Sequence, residues 1–99
     1  MDRRQKIMKL IVDELAEFSD LQYTYTGAVT GLDANLISMD FVVRQGPIRG
    51  DFNIRGMIDM PVQLKAQYDN RTILNDHPLL QSQIEKDLRQ ISDKINRLL

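Results

Sequence analysis

Two runs in which apolar and polar residues alternate, over 35–44 and 50–60, decide what this chain can fold into. In the first, Ile37, Met39, Phe41 and Val43 stand against Ser38, Asp40 and Arg44; in the second, Phe52, Ile54, Ile58 and Met60 stand against Asp51, Asn53, Arg55 and Asp59. Successive strand side chains point to opposite faces, so a period of two predicts antiparallel strands with one buried and one wet side. Gln45-Gly46-Pro47 between the runs is a hairpin loop, with glycine free to take a positive φ. Gly56 interrupts the apolar side of the second run, where it would let a facing helix lie nearer the sheet.

The alternation extends to both sides. Leu21, Tyr23 and Tyr25 against Gln22, Thr24 and Thr26 predict a strand over 21–29, and Gly31-Leu32-Asp33 a turn after it. Beyond Pro61, which cannot donate to a ladder, Val62, Leu64, Ala66 and Tyr68 alternate again. A separate fourth strand over 62–68 is favoured over an edge strand that continues past a bulge, and residues 69–77 read as a loop.

At both ends the period changes to that of a helix. Over 2–18, Ile7, Met8, Ile11, Leu15 and Phe18 share a face, and Asp2 with Gln5 three residues on has the pattern of a capping box. Leu10 and Val12 widen the apolar arc beyond what one sheet surface needs. From Pro78, a residue tolerated in a first helical turn, Ile84, Leu88, Ile91, Ile95 and Leu98 recur at spacings of four and three, with Asn75 or Asp76 as the cap. That is the rhythm of a coiled-coil seam, here about two heptads long. The chain is therefore predicted to be one α+β domain spanning residues 1–99: an N-terminal helix, an antiparallel meander of three or four strands, and a long C-terminal helix, forming a two-layer α/β sandwich.

A domain of 99 residues buries a smaller share of its surface than a larger one, so it gains much from covering an apolar face in an oligomer. With 13 Lys and Arg against 14 Asp and Glu, the net charge of −1 disfavours broad binding to a phosphate backbone but permits a local basic patch. No cysteine is present, which excludes disulfides, thiolate metal sites and a cysteine nucleophile, and fits a reducing, cytoplasmic setting. No uninterrupted apolar run is long enough for a membrane span, so no membrane partner is expected.

Few constellations carry chemistry. His77 is the sole histidine, so one subunit holds no two-histidine metal site, and its place before Pro78 marks it as a loop or cap residue. Asp40, Asp51 and Asp59 share the polar sheet side, but they alternate with Arg44, Asn53 and Arg55 as a solvated cross-strand pattern does. Gly46, Gly50 and Gly56 form no phosphate-cradling motif. Arg49-Gly50-Asp51 is a chance RGD tripeptide. The order helix, three strands, helix, with Gly46-Pro47 ahead of a Phe52-containing strand, resembles in outline the double-stranded-RNA-binding domain over about residues 5–98. The second helix of that family begins with a lysine cluster, whereas this one begins Asp76-His77-Pro78-Leu79-Leu80, and the chain is assigned to no family. No catalytic, cofactor-binding or metal-binding residue is identified.

The expectation is a small non-catalytic binding or adaptor protein, of a kind common among bacterial and phage accessory proteins. It would act as a homodimer, or through another protein, by the seam Ile84, Leu88, Ile91, Ile95 and Leu98. Leu10 and Val12 would flank that seam, and Asp87, Lys94 and Arg97 would tune its register. The alternative is nucleic-acid binding by Arg44, Arg49 and Arg55, and a further one is a small enzyme or small-ligand binder on the polar sheet side.

Overall fold

The computed structural model describes residues 2–29 and 31–99. The chain runs α1 (Arg3–Leu15), β1 (Gln22–Ala28), β2 (Leu36–Gln45), β3 (Ile48–Met57), β4 (Gln63–Gln67), a short 3-10 turn (Ile73–Asp76) and α2 (Pro78–Leu98). The strands form one antiparallel sheet in sequence order, and both helices lie on the same side of it. This is the α+β architecture predicted from the periods, with 62–68 resolved in favour of a fourth strand.

Local chemistry sets most of the boundaries. Asp2 accepts a hydrogen bond from the Gln5 backbone N–H at 2.8 Å, satisfying one of the donors that a helix start leaves open. The hairpin between β2 and β3 closes at Gln45 and Ile48, and Gly46 takes the φ of 58° that such a two-residue turn needs at its first position. The start of α2 differs from expectation. Asn75 and Asp76 belong to the 3-10 turn, capped by Thr72, and His77 holds the N-cap position of α2 without a side-chain hydrogen bond. Pro78 still occupies the first turn, where its missing N–H has no helical partner to lose.

The core fills the space between the layers. Ile7, Ile11 and Leu15 of α1 and Ile84, Leu88, Ile91 and Ile95 of α2 are at most 2% exposed, packed over Ile37, Met39, Phe41, Val43 and Ile54. Each such side chain contributes about 1.5–3 kcal/mol relative to an exposed one. The a/d seam of α2 is thus filled by the chain's own sheet and by α1, and only Leu98, at 60% exposure, stands outside it.

Glycines admit two close approaches. A Cβ at Gly56 would lie 2.6 Å from Leu64 and 3.1 Å from Ile37, so this glycine makes room for side chains on the strands to either side and not for a helix. A Cβ at Gly50 would lie 2.6 Å from the Leu74 side chain, and the 3-10 turn therefore seats itself on the bare backbone of β3.

Candidate functional site

With both helices on one side, the opposite face of the sheet is left open. The register places its side chains in rows. Gln22, Arg44 and Arg49 form a row at the hairpin end, followed by Thr24, Val42 and Asp51, then by Asp40, Asn53 and Gln67. Beyond these lie Ser38, Arg55 and Lys65, and finally Leu36, Met57 and Gln63.

Two of the cross-strand pairs join like charges: Arg44 stands opposite Arg49, and Arg55 opposite Lys65. Such pairs are destabilising by some tenths of a kcal/mol, whereas a cation opposite a carboxylate is favourable. Among the described residues the ion pairs are Lys9–Asp13 and Lys94–Glu14, both on the helix layer, so no carboxylate lies within 4 Å of the four sheet cations. Asp40 is held instead by Asn53, whose Nδ2 donates to it at 2.8 Å and to Ser38 Oγ at 2.9 Å. Asp51 remains exposed on β3 between Arg49 and Asn53.

All six aromatic rings avoid this face. Phe18, Tyr23, Phe52, Phe41 and Tyr25 form a chain of ring contacts with centroids 5.5–6.3 Å apart, and Tyr68 joins it at Phe52. They line the inner side of the sheet, as the shared face with Leu21 indicated. A surface that stacks nucleobases needs exposed rings among cations, and the open face has the cations without the rings.

On the helix side, a depression of about 430 Å³ lies between the end of α1 and α2, crossed by the Glu14–Lys94 pair at 2.8 Å. Elsewhere on α2, outside the lining of that depression, Asp87 is 2% exposed and accepts hydrogen bonds from Tyr23 Oη at 2.7 Å and Gln83 Nε2 at 2.9 Å. Burial foremost, then the bond to Asp87, raises the Tyr23 phenol far above its ordinary pKa. The Tyr68 phenol is pushed up to about 12, by burial first and by Glu85 second. Asp87, placed at the margin of a helix seam by the sequence, is thus an internal acceptor that ties α2 to β1.

The structure gathers Arg44, Arg49 and Arg55 on one face, with Arg49 inside β3 and not in the loop before it. It removes Asp59 from that face: β3 ends at Met57, and Asp59 accepts from Asn35 Nδ2 at 3.3 Å in the connection that follows. Among the described residues no three His, Cys, Asp or Glu side chains come close enough to hold a metal ion. No helix described is long and apolar enough to cross a membrane. Lys65 was missed as a member of the cationic face, although its place opposite Val62, Leu64 and Ala66 in the period-two pattern already set it on the polar side.

The fold and its open face define a two-layer α+β sandwich with an uncovered, mixed-charge sheet surface. No protein-family model matches the chain, and no curated protein or solved structure matches it either.

Proposed function

We propose that this is a non-catalytic binding protein that docks a macromolecular partner on the open face of its sheet. The supporting observation is the set of four cations on that face, Arg44, Arg49, Arg55 and Lys65, arranged in two like-charge pairs with no carboxylate within ion-pair distance among the described residues. Opposed cations cost the free domain stability and are relieved by an anionic partner. Another protein is the favoured occupant. Asp40 and Asp51 break any continuous track for a phosphate backbone, and exposed Val29 and Met57 give the face an apolar margin. A cytoplasmic setting suits a chain without cysteine.

Nucleic-acid binding is the second possibility, favoured by the same opposed cations acting on phosphates and disfavoured by the absence of stacking rings. Affinity capture with the folded Arg44→Glu/Arg55→Glu variant separates the two. A protein held by the wild type and by Arg89→Glu, on the helix layer, but released by the sheet variant supports docking on the face. Equal retention by all three overturns it. Retardation of DNA or RNA by the wild type at low salt, lost in the sheet variant, would favour the second possibility instead.

A further inference from the structure

The two edges of the sheet are treated differently. β4 is five residues long, carries Lys65 and follows Pro61, the devices by which an edge is kept from pairing with other chains. β1 at the other edge is seven residues long and is the one strand without a charged residue: Gln-Tyr-Thr-Tyr-Thr-Gly-Ala, with Leu21 before it and Val29 after it. Its single irregularity is a bulge at Thr26, near its end. No described element pairs with its outer side.

The hydrogen-bonding parity of that edge follows from the register. Val29 N–H donates to Ser38 O at 2.9 Å, so Ser38 and every second residue of β2 beyond it turn their main-chain groups toward β1. Val42 and Arg44 are among them, and their partners are Thr24 and Gln22. The N–H and C=O of Tyr23 and Tyr25 therefore point outward from the sheet, with no partner among the described residues.

We propose that β1 pairs antiparallel with β1 of a second copy of this chain, about a two-fold axis at Thr24, joining two four-stranded sheets into one of eight strands. In that register Tyr23 of each copy exchanges both main-chain hydrogen bonds with Tyr25 of the other. The two Thr24 residues meet as a non-hydrogen-bonded pair, and Gln22 faces Thr26. Tyr–Tyr and Thr–Thr are favourable cross-strand pairs, and no charge is opposed or buried. Tyr25, at 41% exposure the most open aromatic ring, would be covered by Tyr23 of the second copy. α1 agrees with this arrangement. Glu14 marks the flank of α1 that meets α2, and at 100° per residue the half-buried Met8 and Val12 lie on the opposite flank, where the helix of the second copy would arrive. The two-fold axis stands perpendicular to the sheet, so both open faces lie on the same side. Pairing at β1 is independent of what those faces bind.

The absence of cysteine makes the contact directly testable. In a non-hydrogen-bonded antiparallel pair the Cα atoms are about 4.5 Å apart, within reach of a disulfide. Under mild oxidation Thr24→Cys should cross-link into a covalent dimer at least about tenfold faster than Gln22→Cys, whose two copies stand four residues off register. Sedimentation equilibrium should show a dimer for the wild type at tens to hundreds of micromolar, and a folded monomer for Thr24→Lys, which opposes two cations at the axis. A wild type that stays monomeric at hundreds of micromolar, or equal cross-linking at 22 and 24, would overturn the proposal. The cross-linking comparison decides the matter even if Thr24→Lys fails to fold.

Discussion

Tyr23 Oη on β1 donates a 2.7 Å hydrogen bond to Asp87 Oδ2 on α2, linking residues 64 apart in sequence across the interior. Gln83 supplies a second donor to the same carboxylate, and no cation lies within 4 Å of it among the described residues. Removing one donor leaves a buried charge under-solvated. Tyr23→Phe should therefore lower the unfolding free energy by about 1.5–3 kcal/mol, the range for hydrogen bonds to charged groups. In urea titrations, Tyr23→Phe/Asp87→Leu should lose less than the sum of the two single variants; strict additivity would show that the two groups do not interact.

Alkaline pH should weaken the fold through two tyrosines. The phenols of Tyr23 and Tyr68 are raised in the folded state, Tyr68 to about 12, against an ordinary value of 10. Above about pH 10 the unfolded chain loses these protons while the folded chain retains them, so the folded state binds more protons and stability falls as pH rises. Below that pH neither phenol contributes a slope. Denaturation curves between pH 8 and pH 11.5, set by the about 10 reference value, should show the decline, and Tyr68→Phe should flatten it. An unchanged slope in that variant would assign the loss to other groups.

The α2 seam gives a prediction about stability and not about association. Ile91 is 2% exposed inside a single copy, so Ile91→Ala should cost about 2–5 kcal/mol by removing buried methyls and leaving a cavity. The mass in solution should not change at concentrations where the variant stays folded. Dissociation into well-folded monomers would mean that the helix is shared between copies.

Asn96 secures the start of β4. Its Oδ1 accepts from the Val62 N–H at 2.6 Å and its Nδ2 donates to the Val62 carbonyl at 3.1 Å. Asn96→Ala should leave both main-chain groups short of a partner and cost about 1–3 kcal/mol. Hydrogen exchange at Val62 should accelerate well before exchange at Ile54 in the sheet centre does, and equal acceleration at both would point to global loosening instead.

Gly50 tests the seat of the 3-10 turn. A Cβ there meets Leu74 at 2.6 Å, closer than packed carbons tolerate, so Gly50→Ala should cost about 1–3 kcal/mol through overpacking. Pairing Gly50→Ala with Leu74→Ala should recover part of that loss in thermal melts. Equal effects in the presence and absence of Leu74 would place the strain elsewhere.

The periods of two and 3.6 made the elements legible, because each depends only on which residues within a short window share a face. The rows of the sheet were almost as accessible. Once Gly46 and Pro47 are taken as a two-residue turn, Arg44 must oppose Arg49, and the absence of charge from 21–29 marks the unguarded edge. What the α2 stripe faces was not accessible. Ile84, Leu88, Ile91 and Ile95 have the same spacing whether they meet another helix or a sheet, since periodicity reports an apolar face and not its occupant. The role of Gly56 was misread for the same reason, as a gap in a strand does not say which neighbour fills it.

Local rules of side-chain direction and turn chemistry thus suffice for an α+β chain with a helix at each end, a strand meander between them and both helices on the one apolar side of the sheet. That the α2 stripe is spent on the chain's own core, and that four cations are left on the open face without a carboxylate partner among the described residues, emerges only from the packed molecule. Those outcomes depend on how much area each layer covers, a property of the packed whole that no local window contains.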